Sequence, residues 1–212
     1  MDNPVIIFGA GGLGRAALEI FESNGNVIYG FLDDNKSLHN TEIDNVPVLG
    51  ETSDDGFLKL IGKKCEAFVA TDDNKEKKSF AKVLIDKRKK MPVNAIHNSV
   101  VMSRSCEIGH GNFVNSGSKL GAGVQIGSHC LINSGATIDH SAKLGDFVQV
   151  GAGSVIGAGV EIADEVFIGS GAVIVSGVKL GKGARIGAGS VVIAEVPAKQ
   201  TVFGNPAVEV KK

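Results

Sequence analysis

The stretch "GATIDHSAKLGD", residues 135–146, contains two repeats of a six-residue pattern that continues on both sides of it. Every sixth residue from Ile96 to Val192 is aliphatic, and this series includes Ile138 and Leu144. All seventeen positions fit the pattern, and no insertion interrupts it. Glycine often follows the aliphatic residue, and a small or β-branched residue often precedes it by two places. A period of six cannot be helical, because the aliphatic side chains would then lie all around the helix. The pattern is typical of short strands joined by tight corners.

Three such strands make a coil of about eighteen residues, and successive coils stack at the inter-strand spacing of ~4.8 Å. The aliphatic side chains then fill a three-sided prism, the small residues occupy the remaining interior, and glycine relieves crowding at the corners. The sequence therefore predicts an all-β, left-handed parallel β-helix of hexapeptide repeats over residues 93–212.

The first 92 residues alternate strand and helix signals instead. The apolar run "VIIFGA" (5–10) precedes an amphipathic helix closed by Gly25, and two more strands are expected at "VIYGFLDD" (27–34) and "CEAFVAT" (65–71). A lysine-rich helix follows and ends near Met91. Strands that alternate with helices form parallel sheets with right-handed crossovers. Residues 1–92 are therefore predicted to be a small α/β domain, half of a Rossmann fold, with about three strands.

Composition argues against several classes of function. The net charge is −1, and the lysine-rich helix has an apolar stripe, so no nucleic-acid partner is expected. No run reaches the ~18 apolar residues of a membrane span, which predicts no membrane insertion. Cys65, Cys106 and Cys130 share no metal-ligand spacing and cannot all pair. We therefore expect a protein of the reducing cytoplasm that requires no metal.

His140 interrupts the repeat directly after an aspartate. It is expected on the outer wall, and its neighbours one coil away are Ala122 and Ala158. Small neighbours leave the imidazole over open surface, where it could take a proton from an attacking amine or hydroxyl. The alternative is a solvated outer histidine without a role, as expected of His110 and His129.

The order of these features resembles a known family. A small α/β domain with a glycine-rich first turn, followed by this β-helix and the terminal "VFGNPA" (202–207), resembles the hexapeptide-repeat sugar acetyltransferases of the bacillosamine and perosamine type. Sialic acid O-acetyltransferases share the arrangement. The resemblance implies acetyl-coenzyme A as co-substrate, a sugar or nucleotide-sugar acceptor, and a homotrimer with sites between neighbouring prisms. It also implies that His140, in the "IDH" step, is the catalytic base.

The surroundings of this histidine depart from the family pattern. Some members follow it with a glutamate, where this chain has Ser141, and place a second histidine nine residues on, where it has Gln149. Gln149 could still donate a hydrogen bond to a carbonyl oxygen. Asp139, Asp146 or a backbone carbonyl could orient the imidazole instead. The positions that match the family's coenzyme A groove are Gln149, Ser170 and Ala188, and the last two could equally be ordinary corner residues.

The turn "GAGGLG" (9–14) fits the pattern G-x-G-x-x-G after a strand and at the start of a helix, where backbone N–H groups suit a phosphate. An NAD site is excluded on size, because about three strands make half of the usual sheet. The family uses this turn and the following aspartates for the nucleotide-sugar acceptor. The acceptor-binding residues that the resemblance implies are Gly11, Gly12, Leu13, Asp33, Asp34 and Asp72. Many members have histidine in place of Leu13 and glycine in place of Asp72, and the alternative is a turn that only packs a helix on a strand.

Three functions stay open at this point. The first is N-acetylation of a nucleotide-linked amino sugar by direct attack, since no cysteine is placed to form an acyl-enzyme. The second is O-acetylation of sialic acid or another free sugar, whose hydroxyl depends more strongly on an oriented base. The third is a non-catalytic scaffold or sugar-binding subunit, which the departures at Leu13, Ser141 and Gln149 suggest.

Assembly is predicted from the outer walls of the β-helix. Phe113, Phe147 and Phe167 are expected to project from these walls, and the repeat has no insertion loop to cover them. Exposed aromatic rings of this kind mark interaction surfaces. We therefore predict a homotrimer whose three sites lie at the subunit interfaces.

Overall fold

The computed structural model describes residues 3–210 of the 212-residue chain. It contains two compact units, Met1–Asn98 and Ser99–Lys212. The first unit is an α/β structure and the second is a parallel β-helix, which confirms the predicted fold classes and their order. The predicted domain boundary between residues 92 and 93 stays a prediction.

The first unit is built on one five-stranded sheet. Its strands are β1 (Val5–Phe8), β2 (Ile28–Leu32), β3 (Glu42–Ile43), β4 (Val46–Gly50) and β5 (Glu66–Val69). Their order is β3-β4-β2-β1-β5, in which only β3 is antiparallel to its neighbour. The expectation of about three strands is wrong, since the sheet also contains β3 and β4. The sequence does not reveal these two strands because β3 has only two residues and because Pro47 interrupts the strand pattern of β4.

The described part of this unit, from residue 3 on, also contains the helices α1 (Gly12–Ser23), α2 (Asp55–Leu58) and α3 (Asn74–Val83), with a 3-10 turn over Lys36–Leu38 and a π-helical turn over Leu84–Arg88. Phe21 of α1 meets Phe68 of β5 edge-on, with ring centroids 5.6 Å apart. The ring centroids of Phe8 in β1 and Phe80 in α3 are 6.0 Å apart. Phe8 belongs to, and Phe80 packs against, a hydrophobic cluster that also contains Val69, the residue that follows Phe68 in β5. Since successive residues of a strand face opposite sides, α1 and α3 cover opposite faces of the sheet.

β6 (Ala95–Ile96) is the last strand of the first unit. The β-helix of the second unit has three walls. The first wall contains β7 (Val101–Met102), β10 (Lys119–Leu120), β13 (Thr137–Ile138), β16 (Val155–Ile156), β19 (Val173–Ile174) and β22 (Val191–Val192). The second wall contains β8 (Glu107–Ile108), β11 (Gln125–Ile126), β14 (Lys143–Leu144), β17 (Glu161–Ile162) and β20 (Lys179–Leu180). The third wall contains β9 (Phe113–Val114), β12 (Leu131–Ile132), β15 (Gln149–Val150), β18 (Phe167–Ile168), β21 (Arg185–Ile186), β23 (Thr201–Gly204) and the antiparallel β24 (Ala207–Glu209).

The interior of the β-helix follows the six-residue pattern. From Val114 to Val192 every aliphatic position is buried, whereas Met102 in the first coil is 43% exposed. Polar residues in the interior bond to the coil above: the Ser118 hydroxyl donates to the carbonyl of Asn133 at 3.1 Å. The absence of insertions keeps all walls in register, so residues eighteen apart stack in columns.

Of the three aromatic residues expected to project from the walls, Phe113 does not, and Phe147 and Phe167 are partly covered. Phe113 is 1% exposed, and Phe147 is half-buried and stacks on His129 with ring centroids 4.9 Å apart. Phe167 is half-buried, with the guanidinium of Arg185 4.7 Å above its ring. His129 is only 6% exposed, so its expected solvation is also wrong. Stacking of parallel strands explains the partial burial of Phe147 and Phe167, because each ring packs against a side chain of the adjacent coil.

Within residues 3–210, no helix combines the length and the apolar character needed to cross a membrane.

Candidate active site

His140 lies at the corner between the first and second walls, directly after β13. The N–H of Ser141 donates to the carbonyl of Ala122 at 2.9 Å, and the N–H of Gly159 donates to the carbonyl of His140 at 3.0 Å. These bonds stack His140 between Ala122 and Ala158, as predicted. The side chain is exposed, and its neighbours along the corner are single methyl groups. The imidazole is therefore accessible to a substrate.

This corner holds the backbone of His140 rather than its ring. The Asp139 carboxylate accepts a hydrogen bond from the N–H of His140 at 2.6 Å. Ser141 is left-handed, with φ of 60°, where the equivalent residues of adjacent coils are Gly123 and Gly159. Within residues 3–210 no hydrogen bond to the His140 ring is formed. The group that orients the imidazole stays a prediction.

Asp146 and Gln149 lie away from this corner. Asp146 occupies the next corner, between the second and third walls, where its carboxylate accepts a hydrogen bond from the N–H of Ser128 at 2.7 Å. Gln149 lies on the third wall in β15, between Leu131 and Phe167 of the neighbouring strands. A full wall of the prism separates Asp146 from the His140 corner. Neither residue can therefore assist the imidazole of its own chain.

Ser170 and Ala188 stack on each other at the corner between the third and first walls. Both are exposed, and the N–H of Gly189 donates to the carbonyl of Ser170 at 2.9 Å. A Cβ at Gly169 would come within 2.5 Å of the backbone N of Ala188, so only glycine fits there. Together with the exposed Ala152 one coil earlier, they form a smooth small-residue column. This shape suits an extended, thin ligand such as a pantetheine arm.

A pocket of about 500 Å³ lies in the first unit at the carboxyl ends of β1, β2 and β5. All six predicted acceptor-binding residues line it: Gly11, Gly12, Leu13, Asp33, Asp34 and Asp72. Sequence analysis missed Thr52, Glu76 and Phe80, which line the same pocket. Thr52 follows β4, which the sequence analysis did not predict. Glu76 and Phe80 belong to α3, whose sequence was interpreted only as a helix with an apolar stripe and a solvated face.

The glycine turn shapes the floor of this pocket. Gly9 has φ of 103°, and a Cβ there would come within 2.6 Å of the carbonyl oxygen of Ala70. A Cβ at Gly14 would overlap the carbonyl oxygen of Gly9, whereas Gly11 and Gly12 face open space. The first N–H groups of a helix have no intrahelical partner, so the start of α1 is suited to bind an anion.

The two aspartates after β2 have different contacts. The Asp33 carboxylate accepts hydrogen bonds from the N–H groups of Ala10 at 2.7 Å and Asn35 at 2.8 Å, which ties the glycine turn to the end of β2. Asp34 uses one oxygen to accept both the N–H and the hydroxyl of Thr52, at 2.9 and 2.8 Å. Asp33 therefore holds the turn, and Asp34 keeps a second oxygen available for a ligand.

The pocket is negatively charged. Within residues 3–210, the side chains that line it include four carboxylates, of Asp33, Asp34, Asp72 and Glu76, and no lysine or arginine. The Thr71 hydroxyl donates a hydrogen bond to Glu76 and holds it at the rim. A phosphate in this pocket would therefore bind backbone N–H groups of the turn, and the carboxylates would accept hydrogen bonds from hydroxyl or amine groups.

The cysteines are poor nucleophiles. Burial raises the pKa of the Cys65 and Cys106 thiols, with the adjacent carboxylates adding to the effect. Cys130 is fully buried. Thiolate is the nucleophilic form of cysteine, so these positions agree with direct attack rather than an acyl-enzyme. Within residues 3–210, no three His, Cys, Asp or Glu side chains are grouped to hold a metal ion.

Comparison with protein families defines the class. Residues 4–84 match the model of the PglD N-terminal domain, and residues 105–140, 141–175 and 160–194 match that of bacterial transferase hexapeptide repeats. No curated protein sequence matches the chain. A glycine-turn pocket and a hexapeptide β-helix with a corner histidine together define a hexapeptide-repeat acyltransferase.

Solved structures refine this class. The GDP-perosamine N-acetyltransferase of Caulobacter crescentus, a histidine-to-alanine variant in complex with CoA and GDP-perosamine, has a TM-score of 0.91 at 30% identity and covers 100% of this chain and 99% of its own. The acetyltransferase domain of PglB from Neisseria gonorrhoeae, in complex with acetyl coenzyme A, has a TM-score of 0.89 at 26% identity, covering 99% and 100%. WeeI from Acinetobacter baumannii has a TM-score of 0.85 at 25% identity, covering 98% and 99%. The chain belongs to the hexapeptide-repeat sugar acetyltransferases with a PglD-type N-terminal domain.

Proposed function

We propose that this protein transfers the acetyl group of acetyl-coenzyme A to the amino group of a nucleotide-linked amino sugar. The observation that carries the proposal is the presence of an accessible His140 in a chain whose first unit has a phosphate-suited pocket. The Caulobacter relative, which is 30% identical over the full chain, holds CoA and GDP-perosamine, and it was solved both with alanine and with asparagine in place of one histidine. A histidine base acting on an amino-sugar nucleotide accounts for both features.

The proposed reaction is a single acyl transfer. The neutral His140 imidazole accepts a proton from the acceptor nitrogen as that nitrogen attacks the thioester carbonyl carbon. The C–N bond forms, the C–S bond breaks, and the proton passes from the imidazolium to the departing sulfur. The products are an N-acetyl sugar nucleotide and free coenzyme A, and the imidazole returns to its neutral state.

Substrate binding is divided between the two units in this proposal. The diphosphate of the acceptor binds the N–H groups of Gly11, Gly12 and Leu13, because the remaining lining is anionic. Asp34 accepts hydrogen bonds from ribose hydroxyls, and Asp72 from other donors of the acceptor. The pantetheine arm of the co-substrate lies along the column of Ala152, Ser170 and Ala188, and Gln149 donates to the thioester oxygen of a bound co-substrate.

We further propose that the protein is a cytoplasmic homotrimer. His140 and the small-residue column lie on opposite edges of the first wall, whose outer positions include the exposed Val101 and Val155. The second wall is charged instead, with Glu161 and Lys179 paired at 3.0 Å. Packing of the first wall against a neighbour would bring a His140 corner and a column together from two subunits.

The decisive experiment measures thiol release from acetyl-coenzyme A with a panel of acceptors. Amino sugars linked to GDP or UDP should support turnover, and the matching hydroxyl sugar nucleotides and free sialic acid should not. Turnover with free sialic acid alone would replace N-acetylation by O-acetylation. Absence of thiol release with every acceptor would favour a scaffold or sugar-binding role.

A further inference from the structure

The pocket of the first unit is bordered by a segment that leaves the sheet after β2. We call residues 33–41 the rim segment, because its first three residues line the pocket. Backbone hydrogen bonds join both of its ends to β4. The N–H of Asp33 donates to the carbonyl of Gly50 at 2.9 Å, and the N–H of Asn40 donates to the carbonyl of Val48 at 3.1 Å. Between these ends the segment forms the 3-10 turn, so the sheet does not set its path along the pocket.

A histidine spans the rim segment. Nε2 of His39 lies 2.7 Å from the carbonyl oxygen of Asp33. A carbonyl oxygen only accepts, so Nε2 carries a proton and donates it. The half-buried imidazole thus joins the residue after the 3-10 turn to the residue after β2. The exposed ion pair of Lys36 with Glu51, at 3.5 Å, contributes little to the same segment by comparison.

The carbonyl that His39 holds belongs to the peptide group between Asp33 and Asp34. A peptide group is planar, so a fixed carbonyl also fixes the start of the next residue. Asp34 uses one carboxylate oxygen for Thr52 and keeps the other for a ligand. The orientation of this carboxylate toward the pocket therefore depends on the His39 bond.

The following residue, Asn35, complements this carboxylate. Its side-chain oxygen accepts the N–H and the hydroxyl of Ser37 at 3.1 and 2.8 Å, which leaves the amide nitrogen as its donor toward the pocket. An acceptor oxygen on Asp34 and a donor nitrogen on Asn35 thus lie on consecutive residues. Both follow directly after the peptide group that His39 holds.

We propose that His39 is a positioning residue for the acceptor, because its imidazole fixes the peptide group from which Asp34 and Asn35 reach the substrate. Within residues 3–210 the pocket lining does not include His39, so the imidazole acts through these two residues. The inference rests on the proposed function only in the identity of the ligand, a nucleotide-linked acceptor.

The first test measures binding of UDP and of GDP by calorimetry, without acetyl-coenzyme A. His39→Ala should weaken the nucleotide that the wild type binds about three- to tenfold, the worth of one hydrogen bond. His39→Gln keeps an N–H donor at the position of Nε2 and should restore the affinity, whereas His39→Asn places its donor at the position of Nδ1 and should not. Equal affinities of His39→Ala and the wild type, or equal losses in His39→Ala and His39→Gln, would overturn the inference.

Steady-state kinetics separates positioning from a general structural role. His39→Ala should raise KM for the acceptor by the same factor and leave kcat and KM for acetyl-coenzyme A unchanged. A fall in kcat together with a rise in both KM values would overturn the inference, because it would show that the whole fold is disturbed.

A further measurement needs no ligand. Amide hydrogen exchange of the rim segment in the free protein should be faster in His39→Ala and like the wild type in His39→Gln. Lys36→Gln is the matched control in the same segment and should leave the exchange unchanged, because it removes only the exposed ion pair. Unchanged exchange in His39→Ala would overturn the inference. Failure of the proposed function has another signature: neither UDP nor GDP would bind the wild type, while the exchange would still depend on His39.

Discussion

At the scale of single residues, His140 is the side chain on which turnover should depend. His140→Ala should lower kcat about 10²–10⁴-fold, because proton removal from the acceptor nitrogen would fall to solvent. His110 is also exposed but lies at a different corner, so His110→Ala should keep wild-type turnover. Thiol release measures both variants, and circular dichroism verifies their folds. Full activity of His140→Ala would remove this imidazole from the mechanism.

Gly121 supports the His140 corner from the adjacent coil. A Cβ there would lie 2.7 Å from the backbone N of His140, and one at Gly127 would lie 2.7 Å from the backbone of Gly145, at another corner. Gly121→Ala and Gly127→Ala should each lower the free energy of unfolding by about 1–3 kcal/mol. Only Gly121→Ala displaces His140, which should lower kcat about a hundredfold. Denaturant titration and thiol release compare the pair, and equal kcat values would contradict this placement.

Asp33, which is predicted to bind the acceptor, also holds the glycine turn. Because its carboxylate accepts the N–H groups of Ala10 and Asn35, Asp33→Ala should lower the free energy of unfolding by about 2 kcal/mol and raise KM for the acceptor. Glu22→Ala is the matched control, since the Glu22 side chain is exposed in the last turn of α1. Its stability and KM should hardly change, because surface substitutions of this kind usually have small effects. Equal unfolding midpoints for the two variants would show that Asp33 does not hold the turn.

At the scale of elements, helix α3 depends on its N-cap. The carboxylate of Asp73 accepts hydrogen bonds from the N–H groups of Glu76 and Lys75, which lowers its pKa below the ordinary value of 3.8. A pKa that is lower in the folded state stabilises the protein above the ordinary value, and this contribution is lost as pH falls through the folded value. Asp73→Ala should lower Tm by roughly 2–4 °C at pH 7.

The pH dependence is the check on this cap. The Tm difference between the wild type and Asp73→Ala should narrow as the pH falls below 3.8, since protonation weakens the wild-type cap. Asp73→Ser keeps a neutral cap and should show a smaller Tm loss with little pH dependence. A Tm difference that is constant down to pH 2 would assign the loss to something other than the carboxylate charge.

At the scale of the whole molecule, the proposed trimer would make activity depend on assembly. Light scattering should report a particle of about 66 kDa, three times the chain mass of 21.9 kDa. Val155→Lys places a charge on the apolar first wall and should yield a particle of about 22 kDa without activity. Gln125→Lys makes the same change in charge on the second wall and should leave both mass and activity unchanged. A fully active particle of about 22 kDa would exclude a shared site.

Sequence and structure agree best where spacing alone decides position. Uninterrupted six-residue steps stack residue i on i+18, so Ala122 and Ala158 could be assigned as neighbours of His140 without coordinates. The glycine turn could likewise be predicted from the sequence, because Gly9 and Gly14 occupy positions where a Cβ would collide with the backbone. In both cases a short-range steric rule leaves one arrangement.

The sequence by itself determined the β-helix, the α/β unit before it and the corner on which His140 stands, because these follow from periodicity and backbone sterics. Only the tertiary structure decided that Phe113 is buried, that Val46–Gly50 forms a strand, and that Asp33 holds the turn while Asp34 is available to a ligand. These outcomes depend on which side chains and N–H groups from distant parts of the chain lie next to each residue in the folded protein. Burial and hydrogen bonding are properties of that shared environment, so no local pattern could specify them.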